Sequence, residues 1–245
     1  MRLDKFLSVT AVATRSESKR AVRAGEVAVN GVCARTSDMT VDPDRDEIFF
    51  RGERIVYRKY SYILLNKPEG YVSATDDPRE KTVLDLLPAE LRKKGVFPCG
   101  RLDKNTLGVM LLTDNGELAH RLLSPKNHVE KKYRFKSKFP MNTADAERFE
   151  AGVELDDGYL TKPARISLEG EGDEGVVTLH EGKYHQIKRM FDSLGNKIIY
   201  LERISFANLS IENAPPRGEW RYLDDDEIAE LEGMANAPCG ASQYK

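Results

Sequence analysis

Val109-Met110-Leu111-Leu112 is an unbroken apolar run set between Gly108 and the turn sequence Asp114-Asn115-Gly116. A segment with no polar side to offer water must be covered on both faces, and this one, with Thr113, has the length of a strand. A chain that contains it needs a sheet with material packed on each side. Tyr62–Leu65 reads as a second buried strand. The composition, 40% hydrophobic and 32% charged over 245 residues, can fill such a core.

Around these runs, strands and helices mix without a strict βαβ repeat. Glu117–Leu123 is a short helix after the Asn115-Gly116 turn, and Lys131–Phe139 alternates basic and aromatic residues at the strand period. Ala144–Ala151 is helical and ended by Gly152; Val176–Leu179 is a strand; Gln186–Leu194 is an amphipathic helix stopped by Gly195. Ile198–Tyr200, Ile204–Phe206 and Trp220–Leu223 add strands, and Asp224–Leu231 starts a final helix with acids. The pattern predicts an α+β domain on a mixed, mostly antiparallel sheet with flanking helices. Residues 1–59 read as a small separate unit. Leu3, Phe6 and Leu7 have helical spacing, Ser16 is placed to cap a second helix, and Asn30-Gly31 between valines predicts a hairpin. Asp42-Pro43-Asp44 makes a further turn before a strand at Glu47–Phe50, and the polar run Arg54–Tyr60 reads as a linker. The expected division is 1–59, 60–232 and a tail at 233–245.

Several function classes are disfavoured. No stretch approaches the ~20 apolar residues that span a bilayer. The start MRLDKF lacks the apolar core of a signal peptide, so a cytoplasmic location is expected. Cys33, Cys99 and Cys239 are scattered and odd in number, and the four histidines show no metal-ligand spacing. There is no glycine-rich phosphate loop or dinucleotide turn. The chemistry is expected to come from side chains alone, with no cofactor and no metal, in a monomer. A net charge of -2 argues weakly against nucleic acid. Its distribution argues for it: seven Lys/Arg stand between Arg121 and Lys138 against the single acid Glu130, while acids pool at 169–175 and 224–232.

Three stretches carry the chemistry. In Gly100-Arg101-Leu102-Asp103-Lys104-Asn105-Thr106-Leu107-Gly108 a carboxylate sits on a glycine-bounded loop just before a buried strand. Catalytic groups are often mounted so, although turn formers and helix caps are too. In Lys131-Lys132-Tyr133-Arg134-Phe135 a tyrosine between cations offers a ring for stacking beside charges for phosphate, or else a core tyrosine on an amphipathic strand. In Glu181-Gly182-Lys183-Tyr184-His185-Gln186-Ile187-Lys188-Arg189-Met190-Phe191, Lys188 lies in the opening turns of a helix and faces either the loop carboxylate or water.

Taken together, G-R-L-D-x-x-T-x-G, E-G-K-Y-H-Q-I-K-R-M, L-N-K-P-E-G-Y-V-S-A-T-D-D-P (65–78) and L-T-K-P-A (160–164) resemble the pseudouridine synthases that modify bacterial ribosomal RNA. R-L-D-K-F-L with V-A-V-N-G resembles their N-terminal S4 RNA-binding domain. The K-Y-H-Q-I-K-R-M and T-K-P-A blocks look like the small-subunit branch, whose large-subunit relatives read closer to N-R-E-V-R-R. Two departures stand out: Ala11–Ala13 lack a glycine often seen between the S4 helices, and the chain carries an extra tail.

The resemblance implies cofactor-free isomerisation of a uridine in 16S rRNA, free or in a small-subunit assembly intermediate. Asp103 matches the catalytic carboxylate and Lys188 the basic residue paired with it. Arg101 matches the residue that fills the space left by the flipped base. Tyr133 matches the ring that stacks on uracil, and Leu201 the floor of the pocket. RNA contacts are expected from Arg2, Lys5, Arg15, Lys19, Arg20 and Arg23 in the S4 unit, and from Lys131, Lys132, Lys183 and Arg189 in the larger one. The alternatives are the same reaction on a 23S uridine, a catalytically degenerate assembly factor that binds RNA, and a nucleoside glycosidase with a second acid beside Asp103, for which Asp76, Asp77 and Asp114 are available although the resemblance assigns none of them that role.

Overall fold

A computed structural model describes residues 1–236 except 11, 125, 126 and 128. Two compact units divide at Lys59 and Tyr60.

In the first unit, helices α1 (Leu3–Val9) and α2 (Arg15–Arg23) pack against strands β1 (Val27–Val29), β2 (Val32–Cys33), β3 (Ile48–Phe50) and β4 (Glu53–Ile55), paired in the order β2-β1-β3-β4. Leu3, Phe6, Leu7, Ala21, Val22, Val27 and Ile48 form its core. Asn30 and Gly31 both take positive φ, as the tight β1–β2 turn demands. The α2 cap is Thr14 rather than Ser16. The helix begins earlier than expected, and Thr14 and Glu17 form a reciprocal capping box. Glu53–Ile55, expected to lead into and begin the linker, folds back on β3 through the Arg51-Gly52 turn.

The larger unit contains β5 (Tyr62–Lys67), a 3-10 turn at Val83–Leu86, α3 (Ala89–Lys93), β6 (Phe97–Pro98), β7 (Leu107–Thr113), α4 (Gly116–Leu123), β8 (Lys131–Ser137), α5 (Thr143–Ala151), β9 (Arg165–Glu169), β10 (Glu174–Leu179), α6 (Gln186–Ser193), β11 (Ile198–Phe206), β12 (Leu209–Ser210), β13 (Trp220–Tyr222) and α7 (Asp225–Asn236). The sheet runs β13-β5-β7-β11-β8-β10-β9, and among these neighbours only β7 and β11 are parallel. Val109–Leu112 is fully buried at its centre, because α6 and α5 contribute to the core on one face and α4 and α7 to that on the other. Ile198–Tyr200 and Ile204–Phe206 are parts of one strand, not two. The charged pair Glu202-Arg203 between them is buried, with Glu202 satisfied by Tyr200, Arg134 and Arg217 and Arg203 Nε donating to Val109 O at 2.7 Å. Helix α7 runs on through Gly233–Asn236; the rest of the expected tail, 237–245, lies outside the described residues.

Candidate active site

The Asp103 loop is gripped by side chains from β5 and the segment after it. Ser73 Oγ accepts from Leu102 N at 2.9 Å and donates to Leu102 O at 2.7 Å. Lys67 is fully buried at the end of β5, and its ammonium points at the carbonyl oxygens of Asp103 (3.0 Å), Lys104 (3.3 Å), Thr106 (2.8 Å) and Pro68 (3.1 Å). Burial pushes its pKa down to about 8. Gly70 N adds a bond to Lys104 O, and Lys104 Nζ pairs with Glu80 at 2.5 Å. The loop is thereby tied at several points to one neighbouring segment, so the carboxylate projects from a rigid mount. At the loop's far end Gly108 has φ +102, and a Cβ there would lie 2.2 Å from Arg203 O. Only glycine lets β7 come that close to β11.

Helix α6 supplies the partner cation. Ile187, Met190 and Phe191 are buried, and Phe191 meets Phe135 and Phe149 edge-on at 4.9 and 5.4 Å. With that stripe fixed, the opposite side of the first turn faces the loop. Lys188 Nζ lies 2.5 Å from Asp103 Oδ2 and 2.7 Å from Asn105 Oδ1. His185, the left-handed residue just before α6, places Nε2 3.3 Å from Asp103 Oδ1. The helix entry is anchored by buried Glu181, which accepts from Tyr159 Oη, Lys162 N and Gln186 Nε2. Asp103 is a quarter exposed, so the carboxylate is charge-balanced yet open to a reactant. Among the described residues no group of three or more His, Cys, Asp or Glu could hold a metal ion.

A partly exposed carboxylate clamped by a cation can act as nucleophile or base. The model of the RNA pseudouridylate synthase family matches residues 61–193, and that of the S4 domain matches residues 1–47. This chain belongs to the RNA pseudouridylate synthase family. It is 43% identical to an uncharacterised RNA pseudouridine synthase of Bacillus subtilis, over 93% of this chain and 97% of that one. It is 38% identical to ribosomal small subunit pseudouridine synthase A of Vibrio cholerae, over 94% of this chain and 99% of that one. A solved pseudouridylate synthase is 34% identical with a TM-score of 0.66, covering 94% and 99% of the two chains.

Within this synthase the expected site residues fall into distinct groups. Asp103 and Lys188 meet. Tyr133 and Leu201 lie on adjacent strands in the same buried cluster as Leu102, next to Asp103 in the chain. Arg101 is exposed and forms no hydrogen bond or ion pair with the described residues. Two expected RNA contacts are corrected. Lys131 is on the inward face of β8, only 8% exposed, and donates to Val129 O at 2.9 Å, with its pKa pushed by burial down to about 8. Arg189 turns away from the site to Asp156 and Asp157, which neutralise it. Arg2 pairs with Asp4 at 2.8 Å, and Lys132 pairs with Glu130 at 3.1 Å while staying half exposed. Lys183 is exposed and sits over the Tyr159 ring at 4.4 Å. Lys5, Arg15, Lys19, Arg20 and Arg23 are exposed on α1 and α2 with no ion pair to the described residues. Lys126, counted in the basic stretch, and Ala11, in the segment between the S4 helices, lie outside the described residues.

Sequence reasoning missed Lys67, Ser73 and His185. Lys67 carried a signal, a lysine closing an apolar strand, which demands buried acceptors. His185 carried another, its spacing of one helical turn from Lys188. Ser73 carried no signal beyond its place in the 65–78 block.

Proposed function

We propose that this synthase converts a uridine of 16S rRNA, in the cytoplasm, to pseudouridine without a cofactor. The N1–C1′ bond breaks, the uracil turns, and C5 bonds to C1′; N1 gains a proton and C5 loses one. Asp103 is the carboxylate that acts on the nucleoside, and Lys188 balances its charge. The target base must leave its stack to reach a carboxylate mounted on a rigid loop. Arg101, exposed and without a partner among the described residues, fills the space it leaves; Tyr133 stacks on the flipped uracil, and Leu201 forms the pocket floor. The S4 unit binds the surrounding RNA through Arg2, Lys5, Arg15, Lys19, Arg20 and Arg23, with Lys132 and Lys183 contributing from the larger unit.

The observation that carries this reading is the 2.5 Å contact between Lys188 and Asp103 on two independently braced elements. A degenerate RNA-binding factor would have no need of it. The glycosidase reading needs a second acid beside Asp103, whereas the titratable side chains that touch its carboxylate among the described residues are Lys188 and His185. Asp114 is at the opposite end of β7 from Asp103, with Oδ1 accepting from Ser61 N, and Asp77 Oδ1 is engaged by Arg79 N and Glu80 N. The small-subunit assignment rests on the K-Y-H-Q-I-K-R-M block and on the names of the Vibrio relative and its kin.

Tritium release from C5-labelled rRNA tests the reaction, and mapping pseudouridine in total rRNA from a deletion strain tests the target. Asp103→Asn should lose at least ~100-fold in turnover, about 2.7 kcal/mol of barrier, with unchanged circular dichroism and RNA affinity. Residual turnover above that level in a folded variant would remove Asp103 from the chemistry. A missing 23S rather than 16S pseudouridine in the deletion strain would reassign the substrate.

A further inference from the structure

Tyr184 is the most exposed large hydrophobic side chain in the described part of the larger unit, at 69%. Its ring is not loose. It stacks on His185 with centroids 3.8 Å apart and planes 20° from parallel, and His185 in turn reaches Asp103. The backbone at His185 is left-handed, φ +48 and ψ +31, a conformation that strains a non-glycine residue. It is held there from both sides. Gln186 Oε1 accepts from Lys183 N at 2.9 Å, and Gln186 Nε2 donates to buried Glu181 at 2.7 Å. The result is a two-ring plate that begins beside the carboxylate and ends in water, with the exposed cation Lys183 adjacent in the chain.

We infer that the open face of Tyr184 is a stacking subsite for the nucleobase adjacent to the target uridine in the same RNA strand. The inference rests on the proposed reaction, which puts the flipped uridine at Asp103. The next base along the strand then lies within reach of a surface one ring further out. An aromatic face beside a lysine is the chemistry that unpaired RNA bases meet, and stacking on it tolerates any base. The plate fixes which neighbour of the uridine is splayed out and so sets the register of the RNA.

The test uses full-length protein and a short RNA bearing the mapped uridine, intact or with an abasic residue at the position on either side. With intact RNA, Tyr184→Ala should raise KM about tenfold while kcat stays within about twofold, and Tyr184→Phe should behave as the parent. With an abasic residue on one side, the parent's KM should rise by the same tenfold and that of Tyr184→Ala should rise no further. Parent-like KM for Tyr184→Ala overturns the subsite. So does an abasic effect that is as large in Tyr184→Ala as in the parent, at both neighbouring positions. Equilibrium affinity for the same RNAs is read alongside turnover. Protein that shows the Tyr184 and abasic effects in binding but makes no pseudouridine would overturn the reaction and leave the subsite standing.

Discussion

The lysines of this chain use their charge in opposite ways. Lys188, partly exposed, directs its ammonium at Asp103 and Asn105, whereas Lys67 and Lys131 bury theirs against backbone carbonyls. Lys188→Met removes the cation while keeping length, and should cut kcat by about a hundredfold; Lys188→Arg should stay within about tenfold of the parent. Single-turnover rates at saturating RNA check this, and a normal rate for the methionine variant would detach Lys188 from the site. The two buried lysines make a separate prediction. Desolvation holds both near 8, below the ordinary 10.5, so between these values the unfolded chain binds more protons than the folded one. Stability should therefore rise with pH from about 8 upward. Cys99 and Tyr62, both pushed up to about 12 mainly by burial, act in the opposite sense, Cys99 above about pH 9 and Tyr62 above pH 10, so the one thiol offsets part of what the two ammonium groups contribute in this range. Urea midpoints between pH 8 and 9.5 should climb in the parent and climb less in Lys131→Met. A flat profile in both would mean that neither ammonium is desolvated.

At the level of elements, the site depends on how β7 and β11 approach and on what α6 packs against. Gly108 is where both demands meet, because its positive φ ends the Asp103 loop and its missing side chain admits the Arg203 backbone. Gly108→Ala should destabilise by on the order of 3 kcal/mol or more, since strain and overlap add at one position. Chemical denaturation measures it; a change below about 1 kcal/mol would show that the strands separate at little cost. The apolar spacing of α6 was legible in the sequence as Ile187, Met190, Phe191 and Leu194, and so was its glycine stop. Its direction was not. Lys188 points at Asp103 and Arg189 at Asp156 because Phe191 is wedged between Phe135 and Phe149, aromatic partners from β8 and α5.

For the molecule as a whole, the proposed RNA contacts rest on segregated charge in a near-neutral chain. Replacing Arg15, Lys19 and Arg23 by glutamine should flatten the dependence of log affinity on log salt by roughly 0.7–0.9 for each phosphate the protein no longer neutralises, with little change in kcat at saturating RNA. An unchanged slope would mean that the S4 unit meets no phosphate at these positions.

The sequence by itself determined the strands and helices with strong periodicity, the Asn30-Gly31 hairpin, the α+β class and the blocks that mark the family, because each is written in neighbouring residues. It also determined that Lys131–Ser137 alternates. It did not determine the phase of that alternation. Lys131 is inward because it pairs opposite Phe206 and Leu179 on the flanking strands. Lys188 and Asp103 are 85 residues apart, and Lys67 reaches a carbonyl 39 residues away. Such partners are chosen by where the sheet and its loops bring backbone together, a nonlocal outcome of packing that no local pattern contains.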